Sequence, residues 1–288
     1  MQTQTVLRTQ ERIEELVGSL QTIPTLPQVT ARITQTINDP KSTAASLHRI
    51  IAHDPALVSR LLRVVNSAFY ARSSEVDSVE RAIVLLGFDT VRNLAIAATL
   101  GQLFKGHMCE GFTARDLWDH CIAVAVVARE MAKMNDDPAA EEAFLAGLVH
   151  DVGLLAGLQV CRGKLRQVCE RAKREPTPFT LIELEIIGVD HQELGAAVAR
   201  KWGFPESCAV AAAHHHHPSL ADDAWQRMAG LIHAADTLCC QHRVGFHLTA
   251  ASQSLDDAAV LGAAGADVIE RVRSRMPDLV GPALALFR

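Results

Sequence analysis

The stretch Phe144-Leu145-Ala146-Gly147-Leu148-Val149-His150-Asp151-Val152-Gly153-Leu154-Leu155 decides how the rest of the chain is read. It is an apolar run interrupted by one imidazole and one carboxylate, side by side. A run this apolar predicts a buried helix. Burying His150 and Asp151 in it is costly unless each is hydrogen-bonded, paired or bound to a metal. Partners of the right chemistry recur along the chain: His120, His191, the run His214-His215-His216-His217, and Asp236. Imidazole nitrogens and carboxylate oxygens suit zinc, iron, manganese and similar divalent ions. Taken singly, each His is more simply a hydrogen-bonded core residue. Candidates recurring in this order are harder to explain one at a time.

Composition sets the frame around that stretch. The chain has 288 residues, enough for a sizeable core in one or two lobes. Its hydrophobic content is 49% with only 5% aromatic, so the core is built mostly of Ala, Leu, Val and Ile. A net charge of −5 argues against a general nucleic-acid binder. The seven Cys, at 109, 121, 161, 169, 208, 239 and 240, form no C-x-x-C pair. Without a signal peptide they read as reduced thiols in a cytoplasm. No apolar run is expected to reach the roughly 20 residues that span a bilayer, so no membrane association is expected.

Residues 1–20 carry Ile13, Leu16, Val17 and Leu20 at helical spacing, which predicts a short leading helix or a linker from an upstream domain. Ile23-Pro24-Thr25-Leu26-Pro27 is extended, because the residue before each Pro avoids the helical region. A lobe of short helices is expected over residues 21–108. One runs from about 28 to 38 and stops at Asp39-Pro40. The next starts near Ser42 or Thr43 and carries Leu47, Ile50 and Ile51. Asp54 as N-cap with Pro55 at the first helical position opens a third. Ser78 caps a fourth, closed by Gly87. A longer helix runs from Asp89 to about 104. His48 and His53 read as ordinary surface or core residues, and residues 106–112 as the joint between lobes.

The second lobe is expected over residues 109–288. Thr113 and Asp116 form a capping box that starts a helix through Lys133 and sets His120 beside its apolar face. Asp116, one turn before His120, is within reach of the same metal, although its capping role explains it. Asp137-Pro138 launches the helix that carries His150 and Asp151. The basic stretch 159–174, with Arg162, Lys164, Arg166, Arg171, Lys173 and Arg174, reads as a solvated face or as a docking patch for an acidic partner. Thr177-Pro178 begins a helix rich in Leu181, Ile182, Leu184, Ile186 and Ile187. Asp190 and Glu193 form another capping box. His191 then lies in a first turn, where the helix dipole disfavours a cation and keeps the ring neutral for a metal. His233, one turn before Asp236, is placed to hydrogen-bond it as an outer support. Ser254 to Asp257 reads as a further capping box, followed by helices to about Met276 and a short apolar end. This tail packs on the second lobe or forms a dimer contact.

The order H…HD…H…HH…D, carried on helices, resembles the HD superfamily of metal-dependent phosphohydrolases. It is closest to the HDOD branch, the HD-related output domain of bacterial signalling proteins. The N-terminal half makes the resemblance specific: Leu26-Pro27, Ile51-Ala52-His53-Asp54-Pro55, Leu61-Leu62-Arg63-Val64-Val65-Asn66-Ser67-Ala68-Phe69-Tyr70 and Ala82-Ile83-Val84-Leu85-Leu86-Gly87. Residues 190–205 add to it, and it covers about residues 20–240. The resemblance implies an all-α, two-lobed helical bundle. It implies one metal on His120, His150, Asp151 and Asp236, and a second on Asp151, His191, His215 and His216, with His214 and His217 outside. One or two ions of iron, manganese or zinc are the implied cofactor. Relatives that hydrolyse cyclic dinucleotides carry HD-x-G-Lys, where this chain has Leu154. They also carry a G-Y-P signature after the paired His, where this chain has Pro218-Ser219-Leu220-Ala221. These departures favour a cytoplasmic signal-transduction output or scaffold module without established hydrolase activity. It would act downstream of a two-component receiver through a protein partner, with a homodimer as a candidate assembly. The alternative is a metal-dependent phosphohydrolase acting on a nucleotide or cyclic dinucleotide.

Overall fold

Short caps write the first half of the molecule. Helix α1, Gln28–Asn38, follows Pro27. Thr43 and Ser46 form a reciprocal capping box at the start of α2, Ala44–Ala52. The Asp54 side chain accepts the Leu57 N–H at the start of α3, Pro55–Val65. Ser78 does the same for α4, Val79–Leu86. Gly87 then turns the chain at once into α5, Phe88–Leu100, which ends in the 3₁₀ turn Gly101–Leu103 rather than continuing to residue 104. The apolar faces of these helices meet at Ile33, Leu47, Ile51, Leu57, Leu61 and Leu94, all buried. The computed structural model describes residues 26–67, 75–250, 253–256 and 258–287. The leading helix expected over 1–20 and the Ala68-Phe69-Tyr70 part of the N-terminal motif lie outside the described residues.

The joint is a small hairpin, not a plain loop. Strands β1, His107–Cys109, and β2, Phe112–Thr113, pair antiparallel, with His107 opposite Thr113. They are the only strands among the described residues, and the rest of the regular structure is helical. Thr113 and Asp116 then cap α6, Ala114–Met134, the long central helix of the second lobe.

Three sequence expectations change here. Asp137 accepts the Ala139 N–H and Pro138 only turns the chain, so α7 starts at Ala140. The apolar helix expected to run through the HD pair is broken by it. Helix α7, Ala140–Val149, stops at His150, and α8, Val152–Val160, begins after Asp151. The break throws both polar side chains to the same side of the chain. The combined run Ala140–Val160 is 21 residues and is apolar enough to cross a membrane by length and composition, contrary to the expectation that no run reaches this. An apolar stretch of that run is 89% buried inside the protein, which accounts for its apolarity.

Helices α9, Arg162–Ala172, α10, Phe179–Ile186, α11, His191–Lys201, and α12, Glu206–His214, wrap one side of the break. The basic stretch on α9 is a solvated face, with Arg166 paired to Glu170 and Arg171 to Glu175. At α11 the capping box is one-sided. Asp190 accepts the Glu193 N–H, but the Glu193 carboxylate has a buried oxygen without a partner. Helix α13, Asp223–Gln241, lies on the other side. The Ser254 hydroxyl bonds locally with Asp256, Asp257 is outside the described residues, and α14 spans Ala258–Ala264. The final helix α15, Ala266–Phe287, continues well past Met276 through Pro277 and Pro282. It buries Val268, Val272, Met276 and Val280 and ties to α6 through Arg275 and Glu130, 2.8 Å apart. The tail therefore packs within its own chain. Buried apolar side chains from Leu26 to Ala283 form one continuous cluster through both lobes.

Two glycines let the site elements approach. A Cβ on Gly153 would lie 1.9 Å from the His191 carbonyl oxygen, so α8 and α11 touch there backbone to backbone. Gly245 has φ +61, and a Cβ there would lie 2.2 Å from the Asp116 carbonyl oxygen. That turn closes over the first turns of α6, with the Phe246 N–H donating to the Asp116 carbonyl.

Candidate metal centre

Two side chains at the centre come from helix interiors, and five come from helix ends or from a break. His120 projects from the second turn of α6, and Asp236 from the middle of α13. His150 and Asp151 sit on the α7–α8 break, His191 opens α11, and His215 and His216 follow the end of α12. All seven converge, and all are between 0 and 4% exposed. His214 and His217 stay outside, half-buried and exposed.

Asp151 is the pivot. Its Oδ2 lies 3.3 Å from His150 Nε2 and 3.8 Å from His120 Nε2. Its Oδ1 lies 3.4 Å from His191 Nε2 and 3.5 Å from His215 Nε2. Asp236 Oδ1 completes the first group, 3.0 Å from His120 Nε2 and 4.0 Å from His150 Nε2. His216 Nε2 completes the second, 2.9 Å from His191 Nε2. Donor atoms on one divalent ion, at bond lengths near 2.0–2.2 Å, lie about 3–3.5 Å apart. The observed separations are close to that range, and one carboxylate faces both groups.

The imidazoles are oriented from behind. Nδ1 donates to the Val244 carbonyl in His120 (3.3 Å), to the Gly147 carbonyl in His150 (2.7 Å) and to the Ala212 carbonyl in His215 (2.9 Å). In His191 it donates to the Glu183 carboxylate at 2.5 Å, and the His191 backbone N–H donates to the same oxygen at 3.0 Å. With Nδ1 engaged in His120, His150 and His215, the lone pair on Nε2 of these rings points at the centre.

The atoms facing the centre therefore lack donors. His150 Nε2, both oxygens of Asp151 and Oδ2 of Asp236 are buried without a hydrogen-bond partner. His150 Nε2 and Asp151 Oδ2 are close but not aligned as a hydrogen bond. Lone pairs gathered in a buried space repel, and such atoms are costly to leave unsatisfied. A cation answers all of them together, so the residues present fit a divalent metal. Four overlapping sets of ligand atoms among the described residues lie close enough to share an ion: His191, His215 and His216; His120, His150 and Asp151; His150, His215 and Asp236; and His120, Asp236 and Cys240.

Charge follows the same geometry. Burial alone would raise the Asp151 carboxyl, but the imidazoles of His150, His215 and His191 outweigh it and hold it well below the usual carboxylate range. Asp236 is likewise held low, against its burial, by His120 and His150. Burial and the neighbouring rings of His215 and His191 push His216 well below the ordinary imidazole range. Burial also lowers His215. His191 goes the other way: burial lowers it, but the Glu183 carboxylate lifts it to about 10. The sequence expectation of a neutral His191 is thus corrected. The helix N-terminus is outweighed by a buried carboxylate in direct contact.

Two outer supports also differ from expectation. The Asp116 carboxylate is turned toward Thr113, whose N–H and hydroxyl both donate to Oδ2 at 2.7 and 2.6 Å, and it is in none of the groups close enough to share an ion. His233 does not meet Asp236. Its Nδ1 is 2.7 Å from the His215 carbonyl and its Nε2 is 3.1 Å from the Ser254 carbonyl, so it steadies the backbone of a neighbouring ligand instead. Sequence reasoning missed Glu183, Gln192, whose Oε1 accepts the His216 N–H, Gln253, which reaches His216, and Cys240, whose thiol donates to Asp236. Glu183 carried a weaker signal: it and Glu185 are the two carboxylates in the otherwise mostly apolar helix Phe179–Ile186.

Comparison with known proteins agrees with this architecture. The HDOD domain model matches residues 23–218. An HDOD domain protein of unknown function from Geobacter sulfurreducens superposes with a TM-score of 0.78 at 22% identity, over 95% of this chain and 99% of that one. A Shewanella amazonensis protein, provisionally named a phosphohydrolase, gives 0.74 at 25% identity, over 94% and 96%. A Marinobacter aquaeolei protein, provisionally named a signal transduction protein, gives 0.75 at 26% identity, over 92% of this chain and 60% of that one. An uncharacterized protein of Treponema pallidum is 24% identical over 211 residues, and the chain spans 40% of its length. The match over most of the chain and the shared all-helical fold place it in a family: the chain belongs to the HDOD domain family.

Proposed function

We propose that the chain is a cytoplasmic signal-transduction output module. Its second lobe is organised around a divalent metal, and its first lobe faces a protein partner or an upstream receiver domain. Burial carries this reading. The ligand set is complete, yet every member is between 0 and 4% exposed, which suits an ion that holds helices together better than one that meets a substrate. Leu154, at the position where hydrolysing relatives have a Lys, is also buried, so no cation stands there to balance phosphate charge. On the first lobe, Val84 on α4 is 83% exposed, an apolar side chain suited to a protein contact.

A second reading, hydrolysis of a nucleotide or cyclic dinucleotide, is favoured by one observation: Asp151 faces both ligand groups. A metal pair held there would supply an activated water and a clamp for a phosphoryl group. Metal analysis of the purified protein, joined to a phosphoesterase panel under manganese and iron, separates the two. Bound metal without turnover supports the output module. Turnover that disappears in Asp151→Ala supports the hydrolase.

A further inference from the structure

His216 is held differently from the other four rings. Its Nδ1 meets a side chain brought from beyond α13, the amide of Gln253, 2.7 Å away. The amide presents its nitrogen, while Gln253 Oε1 is buried without a partner. A half-turn of the amide puts Oε1 on the His216 Nδ1–H and frees His216 Nε2 for the centre, as in His120, His150 and His215. Residues 253–256 are anchored on the same face by Gln241, whose amide donates to the Gln253 carbonyl, and by His233 at the Ser254 carbonyl.

The other face of this segment lines a cavity of about 540 Å³ that reaches the surface, walled by Gln253, Ser254, Leu255 and Asp256 with Gln241 and Arg273. One side chain therefore separates His216 from that space. Across the centre, the gap between α8 and α11 beside Gly153, Leu154, Glu183 and His191 measures only about 10 Å³. That holds a single water at most, which leaves no room for an ion that carries several waters.

Resting on the metal reading above, we infer that the ion enters and leaves through the Gln253 wall, and that Gln253 both positions His216 and seals the passage. Gln253→Ala removes the seal and the support. Gln253→Glu keeps an oxygen acceptor of the same length. Ala266→Trp crowds the cavity, which Ala266 also lines, without touching a ligand. The experiment loads each protein with zinc or manganese and times its loss to excess chelator, with circular dichroism as the check on folding. Gln253→Ala should release metal roughly tenfold faster or more, Gln253→Glu should stay near wild type, and Ala266→Trp should be slower. Equal rates in wild type, Gln253→Ala and Ala266→Trp overturn the inference and leave the metal reading intact. A wild-type protein that takes up no metal overturns both.

Discussion

At the scale of single residues, orientation from behind separates this cluster from a chance gathering of histidines. Glu183 makes the strongest of these contacts, with two hydrogen bonds onto one residue. Replacing it with Gln should lower metal affinity about 10- to 100-fold while leaving the ligands in place. A competition titration with a chromogenic chelator measures this, and an unchanged affinity would remove Glu183 from the account. The same contact predicts a proton effect. His191 without metal holds its proton up to about 10, so at neutral pH an incoming ion must displace a proton from Nε2. Affinity should fall as pH falls. Calorimetric binding heats should differ between buffers of different ionisation enthalpy, and identical heats would contradict the protonation assigned to His191. His120, His150, Asp151 and Asp236 could be picked out in the sequence because each is a metal-ligand type set in a mostly apolar stretch, and His191 because it follows the N-cap Asp190. The roles of Asp116 and His233 could not, because spacing along a helix shows reach but not which nearer partner claims a side chain first.

At the scale of elements, caps and glycines explain most of what was legible. Thr43, Asp54, Ser78 and Thr113 announced their helices because each satisfies backbone N–H groups with its own side chain. The α7–α8 break was not announced. Nothing in the apolar pattern marks it, and tertiary demands on the HD pair set it. The final helix runs beyond the expected end near Met276 although it holds Pro277 and Pro282, so packing on α6 outweighs the backbone hydrogen bonds lost there. The tightest element contact makes a sharp prediction. In Gly153→Ala the new methyl would meet the His191 carbonyl and force α8 away from α11, at a cost of about 3 kcal/mol or more. Denaturant unfolding of the variant measures it. A stability equal to wild type would mean the two helices are not held at this distance.

At the scale of the whole molecule, one apolar cluster runs through both lobes, while the buried lone pairs of the second lobe stay unsatisfied without a cation. Removing metal should therefore destabilise the entire chain, not one lobe. The chelated protein should melt in a single transition at lower temperature than the loaded one. Coincident melting curves with and without chelator would count against a structural ion. Asp151 lies between two groups of ligands, and its carboxylate faces both. In anomalous diffraction from crystals grown with manganese, density is expected on both sides of that carboxylate, one peak among His120, His150 and Asp236 and the other among His191, His215 and His216. A map with no anomalous peak within bonding distance of Asp151 would contradict it.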